Sequence, residues 1–255
     1  MPESQYRYFL RISYLGTNYH GWQIQPGSIT VQELVQDAFS LILRENTSVM
    51  GAGRTDTGVH AKVFYAHFDS RHTAEDFNKL QLQFKVNRIL PPDIAVHEII
   101  PVIPEAHARF HAISRTYQYF IALQKDPYQS QLSWLLERKP DVGKMQEAAK
   151  RLIQHTDFAS FARSNTNVKT NDCKIHKALW EQQNHMLKFE IRADRFLRNM
   201  VRAIVGTSVD VGLGKITPDD FETIIRSKDR CKAGYSAPAC GLQLTGIEYP
   251  QEVFL

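Results

Sequence analysis

Eleven consecutive residues, Gly51-Ala52-Gly53-Arg54-Thr55-Asp56-Thr57-Gly58-Val59-His60-Ala61, set one cation, one carboxylate and two hydroxyls among three glycines. Glycines this dense mark a backbone that bends sharply, reaches φ > 0 or lets another group come close. A single carboxylate in such a bend can serve as a nucleophile or general base. The plainer alternative is a turn in which Asp56 and the threonines cap their own backbone. To stay ionised in a closed site Asp56 needs an opposite charge within a few ångströms. Arg54 is only two residues away, but in an extended loop that spacing turns the two side chains apart.

A better-placed cation lies far along the chain, in Arg195-Phe196-Leu197-Arg198-Asn199-Met200-Val201-Arg202. The spacing predicts a helix over 195–209. Arg195, Arg198 and Arg202 then form one stripe, beside an apolar stripe of Leu197, Met200, Val201, Ile204 and Val205. Arginines bordering a core face can reach into a cleft while their stems stay packed, or simply end in water. Tyr117, in Arg115-Thr116-Tyr117-Gln118-Tyr119, is the third piece. A tyrosine on a strand face is ordinarily a core residue, yet a ring can also stack on a base without reading its edge. His107 and His111 have a ligand-like spacing, but nothing completes a zinc set, so no metal is expected. With no P-loop and no Gly-x-Gly-x-x-Gly after a strand, nucleotide cofactors have no visible seat.

The elements that must position these residues can be read from periodicity. Residues 6–14 alternate, with Tyr6, Tyr8, Leu10, Ile12 and Tyr14 on one side, the period of a half-buried strand. The loop of residues 16–23 is rich in stacking and hydrogen-bonding groups and reads as a surface loop with one packed Trp. Thr30 and Glu33 form a capping box, followed by a helix to about Arg44 with Val31, Leu34, Val35, Ala38, Leu41 and Ile42 inward. A strand is expected over 63–68. A helix starting at Thr73 and Asp76 should bury Phe77, Leu80 and Phe84 and stop before Pro91-Pro92. A strand over 94–100 completes the first half.

In the second half a strand is expected over 113–123. A helix from Asp141 follows, burying Met145, Ala148, Ala149, Leu152 and Ile153, and then a polar stretch over 163–174. Strands over 175–181 and 186–192, the arginine helix, a short helix at Thr217-Pro218 and a strand over 242–249 finish the chain. Neither half alternates as βαβ. The expectation is an α+β fold: two similar α/β subdomains with largely antiparallel sheets meeting at a central cleft. The boundary falls in 101–109, giving a subdomain of residues 1–105 with the Asp56 loop and one of 106–255 with Tyr117 and the arginines.

Composition narrows the class. A chain of 255 residues with 43% hydrophobic and 23% charged residues is ordinary for a soluble globular protein. The first residues carry no basic and apolar leader pattern, and no apolar run approaches the roughly 20 residues that cross a bilayer. Cys173, Cys231 and Cys240 are too few and too scattered for a disulfide framework, which fits a reducing cytoplasm. The net charge of +4 is uneven. Residues 1–105 hold 9 Lys/Arg against 11 Asp/Glu, a balance of −2, and residues 106–255 hold 22 against 16, a balance of +6. Such asymmetry points to a polyanion partner for the second half.

Four segments together resemble the tRNA pseudouridine synthase A family. They are the Gly-Arg-Thr-Asp loop, the Arg-x-Tyr-x-Tyr strand, the Phe-Leu-x-Asn-Met-Val-Arg segment ending at Arg202, and the closing Cys-Gly-Leu-x-Leu strand from Cys240. Thr57 stands at a variable spot where the family usually has Ala or Lys. The resemblance implies isomerisation of uridine to pseudouridine at positions 38 to 40 of the tRNA anticodon arm. It implies Asp56 as nucleophile, Arg202 as the cation paired with that carboxylate, Tyr117 stacked on the target base and Arg54 among the substrate contacts. Arg198 falls at a variable position, an RNA contact at most. No cofactor and no metal are implied, and the expected enzyme is a cytoplasmic homodimer that binds tRNA and no membrane. Two rivals remain. Asp56-Thr57-Gly58 matches the Asp-Thr-Gly of aspartic proteases, but those need two aspartates sharing a proton and this chain has one such motif. A non-catalytic RNA-binding module is the other.

Overall fold

The computed structural model describes residues 5–163 and 170–255. The first four residues, read above for a leader, and 164–169 of the expected polar stretch lie outside the described residues. The strands are β1 (Tyr6–Tyr14), β2 (Met50–Gly51), β3 (His60–Ser70), β4 (Ile94–Val102), β5 (Ser114–Ala122), β6 (Trp134–Leu135), β7 (Ile175–Gln183), β8 (Met186–Ala193) and β9 (Leu242–Glu248). The helices are α1 (Val31–Leu43), α2 (Ala74–Leu80), α3 (Leu82–Ile89), α4 (Val142–Leu152), α5 (Met200–Gly212) and α6 (Pro218–Ser227). The fold is α+β. Two compact units divide it, residues 1–113 with 244–255, and residues 114–243. The final segment, grouped above with 106–255, packs with the first unit.

In the first unit the strand order is β4-β1-β3-β9, with β2 on β3. Strand β1 runs antiparallel to both β3 and β4. On the expected inward face Tyr8, Leu10 and Ile12 are buried, the Tyr8 ring lying 4.6 Å from Phe77 and 5.5 Å from Phe68; Tyr6 is exposed at the strand start, and Phe9 on the opposite face is buried as well. Helix α1 starts where Thr30 Oγ1 accepts from Glu33 N–H. It buries Val31, Val35, Ala38, Phe39 and Leu43, each worth roughly 1.5–3 kcal/mol when a large apolar side chain leaves water. Leu41 is exposed, so the inward stripe runs through Phe39 and Leu43 instead.

The single helix expected after Thr73 is two. A reciprocal capping box of Thr73 and Asp76 opens α2, and Gln81 at φ +53 turns the chain before α3. The turn re-aims the apolar stripe, so Leu82 and Val86 are buried while Phe84 is 64% exposed.

In the second unit β5-β8-β7 form an antiparallel sheet, with the two-residue β6 parallel to β5. Tyr119, Ile121, Phe189, Ile191 and Trp180 are buried, the Trp180 and Phe189 rings stacking at 4.8 Å. Asp141 caps α4, which packs on β7 and against α5 and α6 through Met145, Ala148, Ala149 and Leu152. Ile153 lies just past the helix end and is exposed. Helix α6 begins on a Thr217–Asp220 capping box with Pro218 at its first position. Helix α5 is buried almost all round, as a central core helix must be. Among the described residues no helix is long and apolar enough to cross a membrane.

Candidate functional site

Asp56 stands half-buried at the head of a turn closed by Val59 N–H donating to its carbonyl at 3.1 Å. Of the three glycines in this stretch, Gly58 takes φ +77, the left-handed geometry that the third residue of such a turn requires. Gly51 leaves room for the Trp22 indole, and an added Cβ at Gly53 would meet nothing within 4 Å. Arg54, two residues before this turn, is exposed.

The backbone behind the carboxylate is fastened to the segment that follows β1. Thr55 Oγ1 and Tyr14 OH form a buried hydroxyl pair at 2.8 Å. Trp22 N–H donates to Thr55 O and Gly58 N–H to Tyr19 O, both at 3.4 Å, and Gly16 N–H donates to His60 Nδ1 at 2.9 Å. Gly21, at φ +86, comes so close that a Cβ there would lie 2.3 Å from Thr55 O. The outer side of this loop is tied to Asp93: Leu15 N–H donates to its carbonyl, and Asn18 Nδ2 and Tyr19 OH donate to its carboxylate. Burial first, and then the Asp93 carboxylate, raise the Tyr19 phenol well above its ordinary pKa. Trp22 is buried with its ring 4.2 Å from that of Phe64. Residues 16–22 therefore turn their backbone and their Trp toward the Asp56 turn.

In the second unit the two tyrosines of the Arg-x-Tyr-x-Tyr strand have different surroundings. Tyr119 is fully buried and donates to Pro238 O at 2.7 Å, its phenol pushed up chiefly by burial. Tyr117, opposite Ile191 of β8, is half-exposed and meets Phe196 edge-on at 5.2 Å. It is the ring of the two that retains access to solvent.

The arginine stripe is not a stripe. Asn199 takes φ +66 at the N-cap of α5, so Arg195 and Arg198 precede the helix, and Arg202 alone of the three lies within it. Asn tolerates the left-handed region far better than most residues, and here it resets the chain direction. Arg198 is exposed, its carbonyl accepting from Arg163 N–H at 3.0 Å. Arg202 is anchored by a reciprocal pair: its Nε donates to Ala237 O at 2.7 Å and its carbonyl accepts from Ala237 N–H at 3.0 Å. Asn199 Nδ2 donates to Ser236 Oγ, and Thr207 Oγ1 accepts from Gly234 N–H. Residues 234–237 are thus laced along the side of α5 that carries Asn199, Arg202 and Thr207.

His107 and His111 hold a turn. His111 Nδ1 accepts from His107 N–H, and His107 Nδ1 accepts from Arg109 and Phe110 N–H.

Asp56 and Arg54 therefore share one loop of the first unit, while Tyr117 and Arg202 stand on β5 and α5 of the second. Sequence reasoning missed Tyr14, Thr55, Gly21 and His60, the residues that hold the Asp56 turn. The one available signal was a second pair of glycines, Gly16 and Gly21, in a loop too rich in aromatics to be a simple connector.

Comparison with known proteins gives the family. A family model described as tRNA pseudouridine synthase matches residues 148–250. The tRNA pseudouridine synthase A of Parabacteroides distasonis is 50% identical over 248 residues, covering 97% of this chain and 98% of the relative. That of Bacteroides fragilis is 51% identical with the same coverage of both chains. A more distant relative of the same name, from Thermoanaerobacter sp., keeps 39% identity over 93% of this chain and 97% of its own length. Shared over nearly the full length of both partners, identity at this level means that the chain belongs to the tRNA pseudouridine synthase A family.

Proposed function

We propose that this protein isomerises uridine to pseudouridine at positions 38 to 40 in the anticodon arm of tRNA, with Asp56 as the nucleophile and without a cofactor. Membership of the family makes it an isomerase that acts on tRNA. The reaction breaks the bond between uracil N1 and ribose C1′, and positive character develops at the sugar. A carboxylate traps or stabilises that charge. The detached base turns over and C5 bonds to C1′. The hydrogen on C5 leaves as a proton and N1 ends protonated. No water is consumed and no electron moves.

The observation that carries this reading is the contrast at Asp56. Asp56 is half-buried, while Thr55, Val59 and His60 around it are buried and the backbone behind it is bonded on several sides. A nucleophile needs such a fixed root. Tyr117 keeps an accessible ring suited to stacking on a base that has left its helix. Arg202 is the cation assigned to the Asp56 carboxylate, and Arg54, exposed beside Asp56, is a contact for the RNA backbone. The working form is a homodimer in the cytoplasm.

Release of tritium from tRNA carrying 5-tritiated uridine, with no methyl donor added, tests the reading directly, because the isomerisation replaces the C5 hydrogen with the bond to C1′. Wild-type protein should release it and Asp56→Asn should not. Tight tRNA binding with no release from the wild type would favour a binding module instead.

A further inference from the structure

The loop after β1 makes no covalent contribution to the reaction above, yet it supplies most of the bonds that fix the Asp56 turn. Tyr14 is 3% exposed and Thr55 is 8% exposed, so their hydroxyl pair is shielded from water. Thr55 precedes Asp56 directly, so this pair holds the residue next to the carboxylate. The Tyr14 ring is itself wedged between Trp22, 6.2 Å away, and Phe64, 5.7 Å away. It therefore cannot drift. Gly21 closes the other side of Thr55 with no space for a side chain.

We infer that Tyr14 is a positioning residue for the reaction: through Thr55 it sets the direction of the Asp56 carboxylate. The inference rests on Asp56 being the nucleophile. A nucleophile misplaced by about 1 Å loses on the order of a hundredfold in rate, whereas RNA affinity depends on groups spread over the surface. Loss of the Tyr14 hydroxyl should therefore act on kcat and spare KM.

Tyr14→Phe keeps the ring and removes only the hydroxyl. The expected result is a kcat for tritium release lower by about tenfold to a hundredfold, with KM for tRNA within about twofold of wild type. Thr55→Ser, which retains a hydroxyl, should restore most of the activity that Thr55→Val loses. Stability separates positioning from simple folding. Each single variant leaves a buried hydroxyl without its partner, so both Tyr14→Phe and Thr55→Val should melt lower than wild type. The double variant Tyr14→Phe/Thr55→Val removes both hydroxyls and should regain much of that melting temperature, while its kcat stays as low as that of the worse single variant. Recovery of kcat together with stability would overturn the inference, as would a kcat for Tyr14→Phe equal to wild type. A wild-type protein that releases no tritium would instead remove the functional reading on which the inference stands.

Discussion

The Asp56 turn and the Tyr117 and Arg202 positions are held in opposite ways. Asp56 sits on irregular chain, and most of what fixes it is other irregular chain pressed close: Trp22 N–H donates to Thr55 O, Tyr19 O accepts from Gly58 N–H, and Gly21 crowds Thr55 O. Tyr117 and Arg202 hang from regular elements, one set by the register of β5 on β8 and the other by the first turn of α5. The pleat of a strand and the turn of a helix give a side chain its direction by default. A loop has no default, so its direction resides in particular bonds behind it. Changes behind Asp56 should therefore reach the chemistry through geometry. Changes at Tyr117 or Arg202 should act mainly through the lost side chain.

The largest effect expected is for Asp56→Asn, which removes the charge and keeps the shape. Turnover should vanish while tRNA binding stays within about tenfold, roughly 1.4 kcal/mol. Residual turnover near wild type in the tritium assay would end the nucleophile assignment.

Next is the backing of the turn. Gly21→Ala places a Cβ 2.3 Å from Thr55 O at φ +86, a strain of more than about 1 kcal/mol. It should lower both the melting temperature and turnover. Gly53→Ala, in open space on the same turn, should melt like wild type. Similar melting curves for the two would show that the backing is soft and would erase the contrast between the regions.

Arg202→Ala should lose more activity than Arg198→Ala, although each removes one positive charge. Only Arg202 is proposed to pair with the Asp56 carboxylate, which would then lose the opposite charge that favours its ionised form. Equal losses would mean that both arginines merely attract RNA.

Tyr117→Leu should fold well and turn over slowly, since one base–aromatic stack is worth roughly 1–3 kcal/mol. Tyr117→Phe keeps the ring and should bind normally. A Leu variant that melts early but turns over at full rate per folded molecule would make Tyr117 a core residue.

The smallest effect lies in acid and away from both regions. His67 is buried, and burial, then the charge of His107, lower its pKa from 6.5 to about 4. Its Nδ1 accepts from Ala108 N–H, with Arg7 and Asp69 the other charges nearby. Because the folded pKa is depressed, its share of stability is fully present above pH 6.5 and is lost as pH falls through about 4. Melting temperature against pH should show a shallower acid decline for His67→Gln than for wild type.

Much of this was legible in the sequence, for identifiable reasons. The strand period of residues 6–14, the Thr73–Asp76 helix start and Pro218 at the first position of a helix are local signals, and the structure follows them. The break at Gln81 was not legible because glutamine carries no turn preference, and the unbroken stripe through Phe84 argued against it. The helix start at Met200 was obscured because Arg195, Arg198 and Arg202 happen to fit a helical period that Asn199 interrupts. In the site, the glycines announced an unusual turn. Tyr14 looked like one more strand residue, because its partner Thr55 lies 41 positions away and only the folded register brings the two together.

The placement of residues 244–255 gives the fold an order in time. Strand β9 stands beside β3, Tyr249 and Phe254 cover Phe9, and Leu255 N–H donates to Pro101 O. A ribosome makes these residues after the whole of 114–243, so the unit begun first is finished last. The continuous second unit can fold as it emerges, while residues 1–113 wait with β3 lacking a neighbour and Phe9 uncovered. A nascent chain halted before residue 244 would carry Asp56 on a sheet whose β3 still lacks its β9 neighbour.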